Sequence, residues 1–144
     1  MKPLLVVTAG IELFAGLALL GLPSAAVALL LGSPLEPPAT VALGRLAGAA
    51  LLALGVACWL AHYDAQSCAA RGVVTAMVLY NLGAAVILGT AGIRLQPVGI
   101  ALWPAVLLHA AIGVGCIACL RRSPLNVTTH DNLQKQSNTE RTQQ

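Results

Sequence analysis

Residues 4–22 read LLVVTAGIELFAGLALLGL, an apolar run broken by one glutamate, Glu12. The fold turns on whether this run is the core of a soluble domain or a span through a membrane. Composition decides. The 144-residue chain is 58% hydrophobic and 9% charged, against about 25% charged residues in soluble domains. Six of the thirteen charged residues (Arg121, Arg122, Asp131, Lys135, Glu140, Arg141) lie beyond position 120. The remaining 120 residues lack the polar surface to coat a water-soluble globule. They read as a membrane domain followed by a short polar tail.

A helix crossing a hydrocarbon layer of about 30 Å needs roughly 20 apolar residues. Four segments meet that length: about 4–22, 39–61, 72–92 and 98–120. Between them lie turn-like stretches, GSPLEPP (32–38), HYDAQSCAAR (62–71) and IRLQP (93–97). Short connections join antiparallel neighbours, so the expected fold is all-α, an integral membrane four-helix up-down bundle over residues 1–122. Continuing the first helix from Leu4 to Leu31 would make it about 42 Å long, too long to span without strong tilt. Pro23 therefore predicts a break, with residues 24–31 as a short interfacial helix. A cleaved signal peptide, with Lys2 as its basic start and Ala26-Val27-Ala28 as its cleavage site, is the rival reading. Glu12 interrupts the apolar stretch such a peptide needs, and the chain stays apolar beyond the site.

Lys and Arg in short loops mark the cytoplasmic side. With four spans both termini share a side, which collects Lys2, Arg71, Arg121 and Arg122, while the other side holds Arg94 and Glu36. The expectation is a multi-pass protein of a bacterial-type inner membrane with both termini cytoplasmic. Trp59, Tyr63 and Trp103 sit where interfacial anchors belong. Residues 123–144, rich in Gln, Asn and Thr, cannot bury enough apolar surface to order themselves and are expected to form a disordered cytoplasmic tail. The net charge of +3 comes without a basic face or interleaved aromatics, which argues against nucleic acid. The expected partners are the lipid bilayer and, beyond it, a second copy or another membrane protein.

Helix association in lipid depends on small residues that allow close approach. Gly44 and Gly48 form a G-x-x-x-G pair, expected to pack the second span within the bundle. Four polar side chains fall inside spans: Glu12, Arg45, Asn81 and His109. Counted from the segment ends, Glu12, Asn81 and His109 lie near mid-membrane, and Arg45 is about 9 Å from the opposite boundary. That count leaves an axial gap of about 6 to 8 Å between Arg45 and Glu12, within reach of an arginine. A lone charge at the centre of a membrane helix costs about 2.5–3.5 kcal/mol on insertion scales, so the leading expectation is a Glu12–Arg45 pair that fixes helix register. Asn81 or His109 would satisfy its remaining lone pairs, and Thr8 and Gly16 would continue the inward stripe. The alternative is a polar cavity, lined by Glu12, Asn81 and His109, for a proton, ion or small ligand.

Cys58, Cys68, Cys116 and Cys119 all fall near the cytoplasmic face of this topology. Cys116 and Cys119 have the C-x-x-C spacing of redox and metal sites, but they lie at a helix C-terminus. A redox pair gains its reactivity at an N-terminus. Packing is the better reading of these thiols, and no metal site is predicted. Nucleotide loops, catalytic triads and paired carboxylates are absent from the sequence.

The runs LGRLAGAALLALGVACWLA (43–61), VLYNLGAAVILG (78–89) and LWPAVLLHAAIGV (102–114) are similar to those of small bacterial four-helix membrane proteins near the DoxX-like and SURF4-like group. The resemblance covers about residues 1–120 and lies in hydropathy layout and small-residue patterning. It implies the four-helix fold and, through the quinone-linked members of that group, a quinone as the one cofactor to consider. The functional expectation is a structural or accessory membrane protein. The alternative is a small transporter, or a quinone-linked redox accessory protein that uses the intramembrane polar cluster.

Overall fold

The computed structural model describes residues 1–95 and 97–122, so the tail expected at 123–144 lies outside the described residues. Those residues form five helices and no strand: α1 Lys2–Gly21, α2 Pro23–Leu31, α3 Pro38–Ala61, α4 Cys68–Arg94 and α5 Leu102–Arg122. All but α2 are long and apolar enough to cross a membrane. Outward-facing side chains are mostly apolar along all four, with Phe14, Leu43, Leu79, Ile93 and Leu107 between 64% and 76% exposed. Water would not tolerate that surface. Hydrocarbon would.

Proline sets the helix starts. A proline occupies the first turn of α1, α2 and α3, where its missing N–H costs nothing and its fixed φ suits the helix. The expected break at Pro23 is present. Leu22 leaves helical geometry at φ −131°, ψ 56°, because the proline ring pushes the preceding residue out of the α region. Helix α2 then ends at Gly32, whose φ of +80° is the left-handed cap that glycine adopts without penalty.

Two helix starts differ from the sequence expectation by four residues. Helix α4 starts at Cys68 rather than residue 72, because the Ser67 hydroxyl accepts from the Ala70 N–H at 3.0 Å and caps the first turn. Helix α5 starts at Leu102 rather than 98. The residues before it are used otherwise: the Gly99 N–H donates to Leu30 O (3.1 Å) and the Ala101 N–H to Leu29 O (2.9 Å). Those bonds tie the last turn of α2 to the entry of α5. A side chain at Gly99 would collide with the Leu29 carbonyl, so only glycine permits the approach.

The long helices form two tight antiparallel pairs, α1 with α3 and α4 with α5. Gly16, Gly48 and Gly55 make the first pair close. A Cβ on Gly48 would sit 2.7 Å from Leu20 N and 2.8 Å from Gly16 O, and one on Gly16 would sit 2.8 Å from Gly48 O. Backbone thus meets backbone with no side chain between. In the second pair Gly92 receives Leu102 and Trp103, and Gly113 receives Leu82.

Contacts between the two pairs concentrate at one end. Leu5 and Ala9 of α1, Cys58 of α3, Val74 and Met77 of α4, Ile112 and Cys116 of α5, and Ala65 of the α3–α4 connection form one buried cluster there. Toward the other end the pairs separate, and α2 touches α1, α3 and α5 across that end. Side chains fill the space between the pairs in one half and leave it open in the other.

Gly48→Ala should lower stability in mixed-micelle unfolding by about 1–3 kcal/mol, the usual cost of overpacking. Gly10 has open space where its Cβ would be. Gly10→Ala should therefore be neutral, or stabilising by up to about 1 kcal/mol from helix propensity. Equal effects at the two sites would refute the backbone contact as the joint of the first pair.

Candidate functional site

At the border between the packed and hollow halves, α1 turns Thr8 and Glu12 inward, one helical turn apart and each only 1% exposed. Neither Thr8 Oγ1 nor Glu12 Oε1 has a hydrogen-bond partner. Asn81, fully buried, lies in the α4–α5 pair at the same border. Its amide nitrogen donates to Met77 O at 2.9 Å, and its Oδ1 stands 2.9 Å from His109 Nδ1. Tyr80 meets the His109 ring edge-on, with centroids 5.5 Å apart and planes at 84°.

Above this border lies a cavity of about 620 Å³ to which all five helices contribute. Glu12, Tyr80 and His109 are its polar lining residues. The rest of the wall is alanine, glycine, leucine and isoleucine, including Ala15, Leu51, Gly83 and Leu88. The volume falls within the range of roughly 300–1,000 Å³ typical of small-molecule pockets. An apolar chamber with a few convergent polar groups is also the usual chemistry of such sites.

The expected Glu12–Arg45 pair does not form. Arg45 is exposed, and no ion pair joins it to Glu12 among the described residues. Register is the reason. Leu13 stands against Gly55, and Gly16 against Gly48 and Leu52, while Gly44 stands against Pro23. Glu12 is therefore level with residues 55–56 of α3, and Arg45 with residues 22–23, at the junction of α1 and α2. That is a separation of about 15 Å along the axis at 1.5 Å per residue. Counting depth from segment ends missed it, because α3 runs about two turns past the end of α1 to lie beside α2. Nor do Asn81 and His109 satisfy Glu12; they bind each other.

The other residues singled out from sequence have plainer positions. Gly48 is buried in the α1–α3 contact, and Gly44 sits against Pro23 and Leu35. Cys116 is buried in the packed half with Cys58, whereas Cys119 is half-buried; both thiols of the C-x-x-C are free. Among the described residues no three His, Cys, Asp or Glu side chains gather as a metal site would require. Trp59 and Tyr63 are exposed at the end of α3 and flank the His62 ring, which bonds through Nδ1 to Trp59 O. Tyr80 is the lining residue that sequence reading passed over. Its signal was position: a tyrosine deep in a span, not at the interface where tyrosine usually sits.

Comparison with protein families, curated proteins and solved structures returns no match for this chain.

A double-mutant cycle on Asn81→Ala and His109→Ala should show coupling of about 0.6 kcal/mol, the average for interhelical hydrogen bonds in membranes. The same cycle on Glu12→Ala and Arg45→Ala should show none. Coupling at the second pair alone would reverse the assignment of partners.

Proposed function

We propose that this chain is an accessory protein of the inner membrane that holds a small lipophilic molecule between its two helix pairs. The observation that carries the reading is Glu12: a carboxyl group 1% exposed, with an unpartnered oxygen, on the lining of a 620 Å³ apolar cavity. Intramembrane ionisable residues are costly and, by default, functional. A structural role requires a partner that repays the cost, and Arg45 is too far away to be one. A proton can remove the charge but leaves Oε1 without a hydrogen-bond donor, and a ligand would supply one.

In this reading the four long helices cross the bilayer as an up-down bundle, with α2 at the non-cytoplasmic interface. Both termini face the cytoplasm, on the balance of Lys2, Arg71, Arg121 and Arg122 against Arg94. The likeness to the DoxX-like group in hydropathy layout agrees with a small membrane accessory protein. The gap between the helix pairs gives a lipophilic molecule lateral entry from the bilayer, since the pairs touch chiefly at the opposite end.

Two outcomes are expected. A decyl-chain diazirine alcohol, photolysed in nanodiscs containing the protein, should label Ala15, Leu51 and Leu88, and Ala84→Phe should suppress that labelling by filling the chamber. Labelling spread evenly over outward residues such as Phe14 and Leu107, unchanged by Ala84→Phe, would exclude a binding cavity. Glu12→Met should leave thermal stability unchanged or raise it, because it removes an uncompensated buried polar group while keeping its volume. A fall of several kcal/mol, of the kind seen when a buried pair is broken, would return Glu12 to a structural role.

A further inference from the structure

The hydrogen bonds around Asn81 determine what the polar end of the cavity can offer. A backbone carbonyl only accepts, so the Asn81 group facing Met77 O is the amide nitrogen, and the group facing His109 is the amide oxygen. That oxygen also only accepts. His109 must therefore present Nδ1–H to it, and the neutral imidazole keeps its lone pair on Nε2. Nδ1 is thus committed to Asn81, and Nε2 is the ring nitrogen left for the chamber that His109 lines. Glu12 supplies carboxyl oxygen, and Oε1 has no donor within the protein. The Tyr80 hydroxyl can act in either sense.

Two acceptors, His109 Nε2 and the Glu12 carboxyl oxygen, thus line one apolar chamber, with the Tyr80 hydroxyl as the neutral donor beside them and no counter-charge. No Lys or Arg is among the lining residues, and register holds Arg45 at the level of residues 22–23. A neutral acceptor head, such as a quinone carbonyl, would leave the His109 lone pair unmatched and depend on the Tyr80 hydroxyl or a neutral Glu12 carboxyl for its donor. A cation that carries N–H groups would meet both acceptors and supply the missing charge. We infer that the cavity takes a lipophilic amine, bound as its ammonium ion with the N–H groups on Glu12 and His109 Nε2 and the alkyl or aryl body along the Ala15, Leu51, Ala84 and Leu88 wall. This rests on the cavity reading above and assigns the chemical class of its occupant. Tyr80 adds an aromatic ring at the same end, a surface that attracts organic cations. Charge-assisted hydrogen bonds are about twice as strong as neutral ones, so the head, rather than the tail, sets selectivity.

The test uses the full chain in nanodiscs of zwitterionic phosphatidylcholine, with four decyl probes compared by ligand-dependent thermal stabilisation. Decylammonium should bind at least ten-fold more tightly than decanol or a decyl-substituted benzoquinone. Decyltrimethylammonium, which has charge but no N–H, should fall between. Glu12→Gln should bring decylammonium down to the decanol level. His109→Ala should weaken decylammonium more than the trimethylammonium probe. If decanol or the quinone binds wild-type protein as well as decylammonium does, the amine assignment is overturned while the cavity stands. If no probe stabilises the protein, and Ala84→Phe changes nothing, the cavity reading itself is overturned. The wild-type comparison decides the head group even if a substituted protein folds poorly.

Discussion

The backbone contact between Gly16 and Gly48 is the constraint on which the rest depends. With no side chain between them, α1 and α3 come close enough for main-chain atoms to touch, and the register becomes a matter of atoms rather than of average depth. Lipid gives helices no hydrophobic reason to associate, so close packing of small residues decides how they meet. That register places Glu12 beside residues 55–56, in the last two turns of α3, and carries Arg45 past the end of α1. One steric fact at two glycines thus leaves an acid in the interior without its expected base.

The separation of the two pairs follows from where bulk is placed. Leu5, Val74, Met77 and Ile112 fill the space between pairs at one end. At the other end Ala15, Ala47, Ala50, Gly83, Ala84 and Ala105 stand among the leucines and isoleucines of the lining. Small side chains hold helices close within a pair, but across a wider gap they leave volume unfilled. Helix α2 and the segment before α5, joined by two backbone hydrogen bonds, lie across that end. The break at Pro23 makes this possible, since a straight continuation of α1 would have left the end uncovered.

Much of this was legible in the chain. Hydropathy and length marked four spans, and Pro23 marked the break that separates α2. The depth of Glu12, Asn81 and His109 singled out the residues around which the cavity is built. The boundaries of α4 and α5 were not legible, because a single serine hydroxyl set one and bonding to a distant helix set the other. The partner of Glu12 was misread for a related reason. Depth counted from segment ends assumes that helices start level, and α3 overruns α1 by about two turns.

Composition and periodicity alone determined that this is a helical protein fit for a membrane, with a few polar groups in its interior. Each of those properties is local or additive along the chain. Which polar groups meet, and which stay alone, was decided only by tertiary structure. A hydrogen bond or ion pair needs atoms within about 3–4 Å, whereas sequence position fixes depth only to within a helical turn or more. Asn81 found His109, Glu12 found no partner, and that difference turns a polar cluster into a site.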